Sequence, residues 1–258
     1  MDLEAEYNNR ARVPGHSAVI ARWRRDAEAA RGAHPPRPRP YGASERGVID
    51  LFDVGPDRPW VVFLHGGYWQ ALGREDFSWV APPLMAHGLN VAIPSYDLAP
   101  DCPLDAILRG IGAMAAALRA ETGQTPVVVG HSVGGHMAAW LVADMQARAA
   151  LAISGVFELE PLVETSLNAA LGLDPETARE LSASGRTPPP GAVLDCWVGA
   201  EESGEFIRQS RDMADQWARR GATTRFEAVA GADHFTVLDP LADPNSALVR
   251  RVVEMASA

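Results

Sequence analysis

The sequence predicts an α/β protein, with a mostly parallel central sheet covered by helices on both faces. Three observations carry that expectation. Apolar runs of strand length recur at 60–64, 90–94, 126–129, 150–154, 193–198 and 223–229. Longer segments with apolar residues at helical spacing lie between them, which is the pattern of parallel strands joined by crossover helices. The 258 residues suffice for one large core, and no linker or internal repeat breaks the rhythm. One domain over 1–258 is therefore expected.

The elements follow in order. Residues 17–31 set Ile20, Trp23 and several alanines among arginines and acids, so an amphipathic helix is expected there. Residues 31–40, RGAHPPRPRP, hold too many prolines for a helix or a central strand and read as an extended connector. An early strand is expected at 48–54. Residues 75–87 read as a helix kinked or restarted at Pro82-Pro83, with Gly88 as its stop. Pro103 is placed at the start of a helix whose Leu104, Ile107, Leu108, Ile111, Ala115 and Leu118 form a core-facing stripe. Residues 158–191 read as helical fragments, enough for a small cap-like insertion. Phe206, Ser210, Met213 and Trp217 mark a further helix closed by Gly221, and Asp243-Pro244 is expected to cap and open the last one.

Composition narrows the classes of function. Hydrophobic content of 47% and charged content of 22% are those of a soluble globular chain. A net charge of −10, with no dense Lys/Arg block, argues against nucleic acid or an anionic membrane as partner. No apolar run approaches a membrane span, and residues 1–7, MDLEAEY, lack the apolar core of a secretory signal. A cytoplasmic protein is expected. Cys102 and Cys196 have no metal-ligand spacing around them and read as packed thiols, so neither metal nor cofactor is expected.

The chemistry concentrates at Gly130-His-Ser-Val-Gly134, which fits G-x-S-x-G between a valine strand and an apolar helix. Strand, sharp turn and helix are the context of a nucleophile elbow, with Ser132 at the turn. Upstream, the strand 60–64 runs into His65-Gly66-Gly67, the position of a hydrolase oxyanion loop, where glycines let backbone N–H groups face a substrate oxygen. A serine needs a base to take its proton, and the base needs an acid to fix its tautomer. His234 follows the last strand and is the expected base, whereas His131 and His136 read as packing or hydrogen-bonding residues. Two adjacent carboxylates, Glu201 and Glu202, compete for the acid, and spacing alone does not separate them.

Several stretches together resemble the arylformamidase (kynurenine formamidase) branch of the α/β-hydrolases. They are Glu6-Tyr-Asn-Asn-Arg10, His65-Gly-Gly-Tyr-Trp69, Tyr96-Asp-Leu-Ala-Pro100, Gly130-His-Ser-Val-Gly-Gly-His136, Ser154-Gly-Val-Phe157 and Glu205-Phe-Ile-Arg-Gln-Ser210. The resemblance implies an α/β-hydrolase fold, Ser132 as nucleophile, His234 as base, and oxyanion donors at Gly66, Gly67 and Val133. It favours Glu202 as the acid, where many relatives carry Asp. It also implies hydrolysis of N-formyl-L-kynurenine to kynurenine and formate through an acyl-enzyme. Tyr68, Trp69, Tyr96 and Phe157 are expected to build a flat apolar slot for the aryl ring, and no cation stands out for an amino-acid carboxylate.

The expected partner is thus a small aryl formamide or ester, in a chain compatible with a homodimer. The same machinery with another pocket would make a general carboxylesterase. A non-catalytic binding protein on the same scaffold is the third reading, disfavoured because no triad member is missing.

Overall fold

The expected alternation appears as eight strands and ten helices in a computed structural model that describes residues 1–258. The strands are β1 (Arg37–Pro40), β2 (Val48–Phe52), β3 (Trp60–Leu64), β4 (Asn90–Pro94), β5 (Val127–His131), β6 (Ala149–Ile153), β7 (Val193–Gly199) and β8 (Thr223–Val229). They form one sheet in the order β1-β2-β4-β3-β5-β6-β7-β8. The β1–β2 and β2–β4 pairs are antiparallel and all the others are parallel. Two short helices, α1 (Leu3–Tyr7) and α2 (Asn9–Arg12), precede α3 (His16–Ala33). Then come α4 (Ala81–Met85), α5 (Leu104–Thr122), α6 (Val133–Ala143), α7 (Asn168–Leu171), α8 (Pro175–Glu180), α9 (Gly204–Arg219) and α10 (Ala247–Ser257).

The central strands are buried along their whole length, as strands covered on both faces must be. Their side chains alternate between two cores. Val62, Leu64, Val128, Ala150 and Leu194 point to the face packed by α5, α6 and α9. Val61, Phe63, Val127, Val129 and Leu151 point to the face packed by α3, α4 and α10. Helix α5 buries every residue of the predicted stripe, with Met114 added, and ends at Gly123 with φ of 70°. No helix is long and apolar enough to cross a membrane.

Three local expectations are corrected. The RPRP segment is a strand rather than a connector: prolines are tolerated on the sheet edge, and Arg37 and Arg39 reach Glu121 at the end of α5. Residues 75–87 do not form one helix. Pro82 and Pro83 lack N–H groups, so the only α-turns start at Ala81, after two short 3₁₀ turns. The last helix is capped by Ser246, whose hydroxyl accepts from the Val249 N–H at 3.1 Å, while the Asp243 carboxylate bonds Asn245 instead.

One ion pair ties α10 to the sheet. The Asp195 side chain on β7 is 1% exposed and receives two bonds from the Arg251 guanidinium, at 2.7 and 3.2 Å. Removing Arg251 strands that carboxylate, so Arg251→Leu should destabilise the fold by about 3 kcal/mol. Urea denaturation checks this, and restoration by Asp195→Leu in the double variant is the expected signature of an unpaired buried charge.

Candidate active site

Ser132 sits between β5 and α6 with φ of 57° and ψ of −121°, a conformation that costs a non-glycine residue about 1–3 kcal/mol. The surrounding structure holds it there. Its N–H donates to the Ile153 carbonyl at 2.8 Å, pinning the turn to the end of β6. The flanking glycines are sterically required. A Cβ on Gly130 would lie 2.0 Å from the Gly134 oxygen, and one on Gly134 would lie 2.0 Å from the Leu64 oxygen.

The loop after β3 lies alongside. Gly67, Tyr68 and Trp69 are three successive residues with positive φ, at 112°, 52° and 55°, so the chain turns tightly there. A Cβ on Gly66 would be 3.0 Å from the Ser132 Cβ. The N–H groups of Gly66, Gly67 and Val133 donate to no other group of the chain, which leaves them free for a ligand oxygen. His65 anchors the loop: its Nδ1–H donates to the Gly66 carbonyl at 2.7 Å, and its ring stacks on Tyr96 with centroids 4.2 Å apart.

The two glutamates have separate fates. Glu201 is exposed, whereas Glu202 is buried and its Oε2 accepts from His234 Nδ1 at 2.6 Å. The other oxygen, Oε1, accepts from the Gly199 N–H at 2.7 Å and from the Ser154 hydroxyl. With Nδ1–H committed to the carboxylate, Nε2 is the nitrogen of His234 left to exchange protons. His131 packs against this ring at 4.8 Å and donates from Nε2 to the His234 carbonyl at 2.8 Å. Burial, with His234 beside it, holds His131 neutral by pushing its pKa well below the imidazole range. His136 is tied to the Leu181 carbonyl at 2.7 Å, joining α6 to the 158–191 segment.

Ser132, His234 and Gly67 line one cavity of about 390 Å³. Of the four aromatics expected in a slot there, Tyr68 alone lines it. Trp69, Tyr96 and Phe157 are packed into the core, because the positive-φ turn rotates Trp69 inward and Tyr96 bonds the His65 carbonyl at 2.8 Å. The aromatic wall is instead Trp23 from α3 and Phe235 beside His234, with Ile20 and Leu72. Tyr7, Asn8, Asn9 and Arg10 close another side, giving the cavity the cation that sequence reading missed. Their signal was present in the Glu6-Tyr-Asn-Asn-Arg10 likeness, which carried no role. Ser154 was likewise quoted without its part in holding Glu202.

Comparison with known proteins agrees with this architecture. Residues 61–183 match the family described as the alpha/beta hydrolase fold. A solved structure from a Silicibacter species, described as a candidate thioesterase, superposes with a TM-score of 0.87 at 31% identity, covering 100% of both chains. The chain belongs to the α/β-hydrolase superfamily and is a hydrolase. Within the superfamily it is similar to kynurenine formamidases. The kynurenine formamidase of Danio rerio is 27% identical over 84% of this chain and 80% of its own length. That of Salmo salar is 28% identical over the same shares.

The buried histidines set an acid limit to the fold. Burial pushes both His65 and His136 down to about 4, against an ordinary value of 6.5. A folded pKa below the unfolded one means that the unfolded chain binds the extra protons. The stability gained from burying neutral rings is therefore complete above pH 6.5 and is lost as pH falls towards about 4. In urea titrations from pH 8 to about 4, His136→Gln should lose less stability than the wild type.

Proposed function

We propose that Ser132, His234 and Glu202 act as nucleophile, base and acid, and that the reaction is hydrolysis of an aryl formamide, N-formyl-L-kynurenine being the favoured substrate. The observation that carries the reading is the Glu202–His234 bond of 2.6 Å beside a strained Ser132 in one cavity. The hydrolase relatives on the kynurenine formamidase branch supply the substrate class.

In this reading Ser132 Oγ adds to the formyl carbon as its proton passes to His234 Nε2. Glu202 stabilises the imidazolium so formed through the Nδ1 bond. The carbonyl electrons move onto oxygen, where the free N–H groups of Gly66, Gly67 and Val133 stabilise the negative charge. Collapse breaks the C–N bond, and the aryl amine leaves with the proton from Nε2. Water, deprotonated by the same nitrogen, then attacks the formyl ester, and formate leaves as Ser132 recovers its proton. Trp23, Phe235 and Tyr68 supply the apolar walls for the ring.

Three measurements test the reading. Ser132→Ala should abolish turnover without unfolding the protein; activity that survives it would falsify the serine mechanism. Glu202→Gln should lower kcat by about three to four orders of magnitude, while Glu201→Gln stays close to wild type. N-formyl-L-kynurenine should also be turned over with higher kcat/KM than 4-nitrophenyl butyrate or an acyl thioester. The reverse order would move the chain to the carboxylesterases or thioesterases.

A further inference from the structure

The cavity wall contains polar groups that the proposed triad does not use. Asn9 is 4% exposed, lines the cavity, and neither its Nδ2 nor its Oδ1 has a hydrogen-bond partner. The Trp23 indole N–H, from the aromatic wall of the same cavity, is also buried and unpartnered. A bare amide inside a protein is a cost that a bound polar group removes. Arg10, which follows Asn9 in the chain, also lines the cavity, is exposed at its surface, and forms no ion pair. The neighbouring acids are committed elsewhere: Glu4 accepts from Ser166, and Glu6 from the Glu205 N–H at 2.9 Å. Arg12, on the same short helix, turns away to the Glu202 carbonyl at 3.4 Å.

Geometry assigns this wall to the departing half of the substrate. A formyl group is one carbon, one oxygen and one hydrogen, and it is held at Ser132 beside the Gly66–Gly67 turn. The rest of a 390 Å³ cavity must then hold the amine. The chain as a whole carries a net charge of −10 and repels anions, so a free guanidinium on the cavity wall is a local exception to the field.

We propose that Asn9 and Arg10 form a specificity subsite that takes a carboxylate carried by the leaving aryl amine. Arg10 supplies the charge and the forked donors, and the Asn9 amide supplies a desolvated hydrogen bond. This deepens the formamidase reading and rests on it for the identity of the amine. It also answers the sequence-based expectation that no cation serves a carboxylate.

Calorimetry on the full chain tests the subsite without relying on turnover, using kynurenine and its decarboxylated analogue kynuramine as probes. Wild type should bind kynurenine at least about tenfold more tightly than kynuramine. Arg10→Ala should bring that ratio close to one, Arg10→Lys should keep part of it, and Arg10→Glu should invert it. Asn9→Asp should also cut the ratio, by placing a like charge against the carboxylate. Equal binding of the two probes by wild type overturns the proposal, as does a preference that survives Arg10→Ala. Formylkynurenine left intact by a protein that still discriminates the probes would sink the formamidase reading and leave the subsite standing.

Discussion

The Glu202 carboxylate is the tie on which the site's geometry depends. It is buried, and no arginine or lysine side chain pairs with it. Three donors hold it: the Gly199 N–H at the end of β7, the Ser154 hydroxyl after β6, and His234 Nδ1 after β8. A desolvated carboxylate is tolerated only where its lone pairs are taken up by donors in good geometry. That requirement fixes the ends of three adjacent strands relative to one another. Ser154 itself has φ of 53°, so its hydroxyl reaches Glu202 through a turn that only this register supplies. Ser132, bonded through its N–H to Ile153, hangs on the same β6 end.

A parallel sheet makes such a convergence possible. All the central strands run one way, so their carboxyl ends open on one edge, where loops from β3, β5, β6, β7 and β8 meet. Positive-φ residues gather there, at Gly67, Tyr68, Trp69, Ser132 and Ser154. Strain of this kind persists only where the surroundings over-determine it, and the two cores flanking the sheet provide that rigidity.

Much of this was legible in the sequence. Valine-rich runs and helical stripes are local signals, and β3, β4 and β8 match their expected bounds residue for residue. G-x-S-x-G and His-Gly-Gly could be read because steric demands on glycine are imposed by neighbours close in sequence. Side-chain direction was not legible in the same way. Trp69 and Tyr96 lie in motifs near the site, yet a left-handed turn and a bond to the His65 carbonyl send both into the core. The separation of Glu201 from Glu202 needed the end of β6, which supplies Ser154 from 48 residues away. Proline arithmetic excluded a central strand at 37–40 but could not see that the sheet had an edge to offer.

The wall formed by Tyr7, Asn8, Asn9 and Arg10 couples the cavity to elements far away in the chain. Tyr7 donates to Glu205 at 2.8 Å and accepts from Gln209 at 2.6 Å, across separations of 198 and 202 residues. The Tyr68 hydroxyl reaches the Tyr7 carbonyl at 2.7 Å, and α1 otherwise rests on α9 and on the 158–191 segment. The bonds to Glu205 and Gln209 join residues far apart in the chain, and such long-range contacts are slow to form. The shape of the cavity therefore depends on contacts between residues 198 and 202 positions apart, and not on the elbow and its loop alone.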